Sequence, residues 1–72
     1  MPIRTKYRDS ISLMKELGVE DLKIWEENGA LQVRGKTKTP HDRELIKHKV
    51  EEENLDKAQD IILQLDIAEP KT

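Results

Sequence analysis

Apolar residues recur at helical spacing in the first part of the chain. The stripe contains residues at positions i, i+4, i+7 and i+10, namely Tyr7, Ile11, Met14 and Leu17. Leu13 widens it. Such spacing places the side chains on one face of a helix. Gly18 follows, and glycine readily adopts the left-handed conformation that ends many helices. The pattern predicts an amphipathic helix from Thr5 to Leu17.

Two short segments of alternating apolar and polar residues flank Asn28-Gly29. This dipeptide suits both central positions of a type I′ turn, and the turn fixes the register of the strands on either side. Trp25 should therefore face Gln32. One face of the hairpin carries apolar residues, namely Leu22, Ile24, Leu31 and Val33. The other face carries Lys23, Trp25, Gln32 and Arg34.

A second helix is predicted after a polar connection of residues 35–39. Thr39-Pro40 has the form of an N-cap followed by proline at the first helical position. The helix should run from Pro40 to about Asn54, with Ile46 and Val50 on its apolar face. We expect Asn54 to end it in the left-handed conformation and Leu55 to pack back over its end.

The last regular element is a strand, because Ile61, Leu63, Leu65 and Ile67 alternate with other residues. The element order is therefore helix, strand, strand, helix, strand. Both helices must cover the one apolar face of the sheet, and the third strand should run parallel to the second through a right-handed crossover. The predicted fold is α+β, an αββαβ two-layer sandwich. It forms one domain over residues 1–72, with an ordered core of about 5–68 and a frayed tail at 69–72.

The composition supports a single small domain. The chain has 72 residues, of which 39% are charged and 3% aromatic, and its net charge is −2. A chain of this length does not hold a second independent core. Ile, Leu and Val make up a quarter of the residues, which is enough for folding despite the high charge. The basic excess typical of nucleic-acid-binding domains is missing, and this disfavours nucleic acid as a partner.

Localisation is predicted from what the sequence lacks. The start, Met1-Pro2-Ile3-Arg4, leads into charged sequence without the apolar stretch of a signal peptide. No run approaches the ~20 apolar residues of a membrane span. There is no Cys, and hence no disulfide or thiol chemistry. We expect a cytoplasmic protein without a transmembrane segment.

Residues with catalytic or metal-binding chemistry are few. Ser10 and Ser12 stand in no nucleophile motif, so we expect no enzyme, no catalytic residue and no cofactor. His41, Glu44 and His48 follow at i, i+3 and i+7, which is compatible with a metal site on one side of a helix. An exposed face on which Glu44 pairs with His48 explains the same spacing. The sequence leaves metal binding open, and no metal site is predicted.

The predicted water-facing side of the sheet is the candidate binding surface. We call it the open face, and its candidate residues are Lys23, Trp25, Gln32, Arg34 and Lys36, with Ile62 and Gln64 alongside. An aromatic ring among cations can stack on a base, lie at a lipid headgroup layer or contact a protein. The alternative is structural: the stems of Lys23 and Arg34 cover Trp25, with a cation–π contribution. The first helix offers a second basic surface with Arg4, Lys6, Arg8 and Lys15.

The whole pattern resembles the BON domain, named for bacterial osmotic-stress and nodulation proteins. The resemblance lies in the helix ending at Gly18-Val19, the hairpin around Asn28-Gly29 that closes at Gly35, the proline-led helix from Thr39-Pro40 and the last strand 61–65. It implies a non-enzymatic αββαβ binding module associated with phospholipid interfaces, the cell envelope, stress responses and, in one cytoplasmic type, potassium sensing. It supplies no catalytic residues.

Two other functions stay open at this point. The first is a small protein–protein adaptor or homo-oligomer that pairs through the open face or an edge strand. The second is RNA binding by a KH-like arrangement of helices and sheet, which the missing G-x-x-G loop and the acidic pI near 5.7 disfavour. The oligomeric state and the ligand are not predicted.

Overall fold

Three helices and three strands make up residues 2–68, the part of the chain that the computed structural model describes. They are α1 (Ile3–Lys6), α2 (Arg8–Glu16), β1 (Glu20–Glu27), β2 (Ala30–Thr37), α3 (Pro40–Glu53) and β3 (Ile61–Ile67). The predicted tail at 69–72 lies outside the described residues.

The strands form one mixed sheet in the order β1-β2-β3. β1 and β2 are antiparallel, with Trp25 opposite Gln32 and Ile24 opposite Val33, so the predicted hairpin register is confirmed. Both turn residues have the positive φ that a type I′ turn needs, 53° at Asn28 and 75° at Gly29. β3 is parallel to β2. The predicted α+β class with a three-stranded mixed sheet is confirmed.

The core lies between the helices and one face of this sheet. Its buried apolar side chains come from helices and strands alike: Tyr7, Met14, Leu31, Val33, Ile46, Val50 and Leu65. The alternating residues of β2 illustrate the division, since Leu31 and Val33 are buried and Arg34 is exposed. The helices therefore pack on one side, and the open face is left to solvent.

The first helix differs from its prediction. It begins earlier, at Ile3, and breaks at Tyr7, whose φ of −107° and ψ of 24° separate α1 from α2. The prediction of one continuous helix over 5–17 is wrong, because an apolar period of 3.6 residues continues unchanged across a one-residue break. Gly18 does end the helical region in the left-handed conformation, with a φ of 69°.

The end of the hairpin also differs from its prediction. The sequence predicts a polar connection over residues 35–39, whereas β2 continues to Thr37 and Gly35 is buried within it. The buried Thr37 hydroxyl donates a hydrogen bond to the carbonyl oxygen of Thr39 at 3.0 Å. A polar residue can therefore extend the strand because its own side chain is satisfied there.

The C-terminal end of α3 also differs from its prediction. Thr39 caps the N-terminus as predicted, accepting from the Asp42 N–H at 3.1 Å. At the other end Asn54 has a φ of −92° and is not left-handed. Its side-chain amide instead donates to the Ala58 carbonyl oxygen at 3.0 Å, which stabilises the loop before β3. Leu55 does not pack over the helix end, because 87% of it is exposed.

Candidate functional site

The open face is arranged in rows that cross the three strands. In the first row Trp25 lies opposite Gln32, which lies beside Ile62. The second row contains Lys23, Arg34 and Gln64. The third places Lys36 beside Asp66. The structure thus brings together the five candidate residues predicted from the sequence, with Ile62 and Gln64 alongside as expected.

Trp25 is half-buried within its row. Its indole N–H donates to Oε2 of Glu27 at 3.2 Å, two residues along the same face. Ile62, at the far end of the row, is 44% exposed. Among residues 2–68 the one cation–π contact places Lys6 over Tyr7, so no cation covers the Trp25 ring. The row presents an aromatic and an aliphatic side chain on either side of a glutamine.

The cations of the open face have no ion-pair partner among the described residues. Lys23, Arg34 and Lys36 are all exposed, and the salt bridges within residues 2–68 involve Lys6 and Lys49 instead. An open depression of about 460 Å³ is lined by the three cations, Gly35, Asp21 and Asp66. The surface has positive and negative groups, with the cations contiguous along the second and third rows.

The basic surface predicted on the first helix is divided in the structure. Lys6 is held by two salt bridges, each 2.7 Å long. Arg4 donates through Nη2 to the carbonyl oxygen of Ile24 at 3.0 Å. Arg8 and Lys15 remain exposed on α2. Because half of the predicted cations are bound to other parts of the fold, the open face is the better candidate for binding.

His41, Glu44 and His48 are exposed on α3. Across residues 2–68, no group of three or more His, Asp or Glu side chains is placed so that it could hold a metal ion. The structure therefore does not bring these three residues into a common site.

Within residues 2–68, no helix is long and apolar enough to cross a membrane.

A polar cluster that the sequence did not predict joins the N-terminal helices to the loop before β3. We call Lys6, Tyr7, Asp56 and Asp60 the Tyr7–Asp60 cluster. Lys6 Nζ contacts Asp56 Oδ1 and Asp60 Oδ2, both at 2.7 Å, and the fully buried Tyr7 donates its hydroxyl to Asp60 Oδ1 at 2.5 Å. The Asp60 carbonyl oxygen also accepts from the Leu31 N–H at 2.8 Å. The partners are about 50 residues apart, so no local spacing indicates them.

The electrostatics of this cluster favour its present protonation state. Burial alone would raise the pKa of Asp60, but the hydrogen bonds from Lys6 and Tyr7 bring that pKa below its usual value. The hydrogen bond from Lys6 likewise lowers the pKa of Asp56. Burial, and then the hydrogen bond to Asp60, raise the pKa of Tyr7 to about 12. These contacts favour charged carboxylates at Asp56 and Asp60 and a neutral hydroxyl at Tyr7, as expected for a polar cluster that stabilises a fold.

The cluster makes the stability of the domain depend on pH. A lowered carboxyl pKa adds stability that is complete above the ordinary Asp value of ~3.9 and is lost as pH falls through the folded-state value. We therefore expect the free energy of unfolding to fall below about pH 4. The Asp60→Asn variant should lose less on acidification than wild type, although it is less stable at pH ~7.

Urea unfolding measured across this pH range checks the prediction. Glu44→Gln, on an exposed residue of α3, is the control and should follow the wild-type curve. An Asp60→Asn curve parallel to wild type throughout would show that the cluster is not responsible. At the alkaline end, the raised pKa of Tyr7 predicts stability lost between pH ~10 and about 12.

The chain was also compared with known proteins. No protein-family model, no curated protein and no solved structure matches it. The function of the open face is therefore inferred from its own residues and geometry.

Proposed function

We propose that this chain is a non-enzymatic, BON-like binding module whose open face attaches to an anionic phospholipid surface. The observation that carries the proposal is the group of three exposed cations, which form no ion pair within residues 2–68, next to the row with Trp25 and Ile62. Lys23, Arg34 and Lys36 suit lipid phosphates. An indole and an isoleucine beside them suit the boundary between headgroups and acyl chains.

The expected affinity is modest. A basic residue close to an anionic membrane contributes about 1 kcal/mol, so the three cations together contribute about 3 kcal/mol. Glu27 and Asp66 lie on the same face and oppose part of this attraction. The attachment should therefore be reversible and sensitive to salt, because exposed charges are screened within ~10 Å at 0.1 M ionic strength.

The remaining polar groups support a role in binding rather than catalysis. Within residues 2–68, the hydroxyls that hydrogen-bond to carboxylates are those of Tyr7, with Asp60, and Ser10, with Glu53. Both hydroxyl-bearing residues are fully buried. Tyr7, between α1 and α2, contacts the loop before β3, and Ser10 of α2 contacts the end of α3. Such buried and hydrogen-bonded groups stabilise the fold.

Co-sedimentation with vesicles tests the proposal. The protein should bind phosphatidylglycerol vesicles at ~0.01 M ionic strength, and binding should be lost at ~1 M. Phosphatidylcholine vesicles should not bind it. Arg34→Glu changes the local charge by two and should weaken binding about 30-fold, corresponding to about 2 kcal/mol.

Arg8→Glu is the matched control, because it makes the same charge change at an exposed residue of α2, in the other layer. It should leave vesicle binding close to the wild-type level. If the two variants lose binding equally, the attraction depends on net charge and not on the open face. If wild type does not bind at low salt, the proposed function is wrong.

A further inference from the structure

The two edges of the sheet are protected to different degrees. Along β1, residues whose main-chain N–H and C=O groups point toward β2 alternate with residues whose groups point away from the sheet. Ile24 is one of those whose main-chain groups point away. Arg4 donates to this outward carbonyl oxygen at 3.0 Å. The register also shifts between Glu20 and Lys23, where Asp21 has a φ of 53°. An irregular register and an arginine bound to the main chain both hinder the pairing of another strand with an edge.

The edge formed by β3 has its main-chain groups exposed in a regular row. The Leu31 N–H donates to the Asp60 carbonyl at 2.8 Å and the Ala68 N–H donates to Thr37 at 2.7 Å, so even-numbered residues face β2. The odd-numbered residues point their N–H and C=O groups away from the sheet: Ile61, Leu63, Leu65 and Ile67. Within residues 2–68 no loop or turn main chain pairs with these groups.

The β3 edge also lacks the side chains that usually block pairing. Its sequence, IILQLDI, has one charged residue and no proline, and its register with β2 is continuous over seven residues. Two of its apolar side chains are well exposed, Ile62 at 44% and Ile67 at 36%. An apolar edge with a continuous register, left unpaired by the rest of residues 2–68, is the usual template for addition of another strand.

We propose that β3 pairs antiparallel with β3 of a second copy of this chain, about a two-fold axis at Gln64. Outward-pointing residues pair only with outward-pointing residues, and an axis at Gln64 gives the longest overlap. Ile61 then faces Ile67 of the second copy. Leu63 similarly faces Leu65 of the second copy. The four hydrogen-bonded pairs supply about eight main-chain hydrogen bonds, and the two sheets become one of six strands.

Charge complementarity on α3 favours a second copy over an unrelated strand. Arg43, Lys47 and Glu51 are exposed and spaced four residues apart, so they form one stripe along the helix. Glu51 lines the same depression as Ile61 and Ile62, which places the stripe on the β3 side of α3. The two-fold axis sets Arg43 of one copy against Glu51 of the other, twice. Lys47, at the centre, can extend its ammonium group into water.

Association of this kind goes beyond the proposed function. The two open faces would lie on the same side of the continuous sheet, so one dimer would present two sets of cations to a surface. Two linked sites bind a surface more strongly than one. The pairing itself needs no lipid, so it can be measured with the protein alone.

Sedimentation equilibrium without vesicles tests the pairing. Wild type should dimerise, and Ile67→Lys should weaken the dimer at least about tenfold by placing a cation within the paired edge. Leu45→Lys is the matched control, since Leu45 is 38% exposed but lines a depression between α2 and α3. It should not change the dimer. Circular dichroism verifies that both variants fold.

A charge exchange tests the register. Arg43→Glu should weaken the dimer about tenfold, and Arg43→Glu combined with Glu51→Arg should restore it. A wild-type chain that stays monomeric at ~1 mM, or a dimer unaffected by Ile67→Lys and Arg43→Glu, overturns the proposal. Neither result bears on the vesicle experiment, in which Arg34→Glu and Arg8→Glu are compared.

Discussion

Replacing Gly35 by valine is expected to lower the free energy of unfolding by about 3 kcal/mol. A Cβ atom at this position would lie 2.6 Å from Cγ1 of Val19 and 3.2 Å from the carbonyl oxygen of Glu20. The first contact is shorter than any van der Waals contact, and the second involves main chain that is less able to move. Valine adds two further methyl groups to this crowded site. A domain of this size rarely has more than ~3–5 kcal/mol of stability, so the variant should be close to unfolded.

Gly35→Ala tests the cause of this effect, because it adds the Cβ alone. Urea unfolding should show a loss of about 1–3 kcal/mol for Gly35→Ala. Combination with Val19→Ala should recover part of that loss, since it removes the closest methyl group. Losses that simply add in the double variant would mean that the close approach of Val19 is not the reason for glycine at this position.

Glu53→Ala is expected to lower the free energy of unfolding by about 2–4 kcal/mol. Oε1 of Glu53 accepts the Ser10 N–H at 2.6 Å and also the Ser10 hydroxyl. Tyr7, at the N-cap of α2, makes no side-chain capping hydrogen bond. Glu53 therefore caps α2 from the end of α3. Its removal leaves a helix N–H and a buried hydroxyl without partners.

Apart from its contact with Ser10, a glutamate at position 53 is unfavourable for the stability of α3. Residues 51–53 are all glutamate, and the last turn of α3 has no basic residue to complement the negative end of the helix dipole. Glu52→Ala is the matched control, because Glu52 is exposed and its bridge to Lys49 is 3.8 Å long. Chemical denaturation should show less than about 0.5 kcal/mol for this control. Equal losses for Glu52→Ala and Glu53→Ala would contradict the capping role.

The sheet could be predicted from sequence because its determinants are local. Asn28-Gly29 fixes the turn, the alternation around it fixes which side chains are buried, and together they give the pairing of Trp25 with Gln32. The same alternation in β3 predicts that Ile62 and Gln64 join the open face. The rows of the candidate site could therefore be predicted before the structure.

The contacts between helices and loops could not be predicted in this way. Ser10 and Glu53 are 43 residues apart, and Tyr7 and Asp60 are 53 apart, so their pairing depends on how the layers pack. Helical periodicity identifies Tyr7 as apolar and buried but carries no information on its hydroxyl. The basic surface predicted on the first helix includes Lys6, which the structure binds to Asp56 and Asp60. These salt bridges join residues far apart in the sequence, so local spacing does not indicate them.

Trp25 fluorescence shows directly whether the open face contacts the lipid. The chain has one Trp, and it lies on the open face, so its emission reports on that surface alone. Titration with phosphatidylglycerol vesicles at low salt should shift the emission to shorter wavelength and reduce quenching by acrylamide, and phosphatidylcholine vesicles should do neither. Unchanged emission and quenching with phosphatidylglycerol, under conditions in which the protein co-sediments with the vesicles, would show that another surface makes the contact and would contradict lipid binding by the open face.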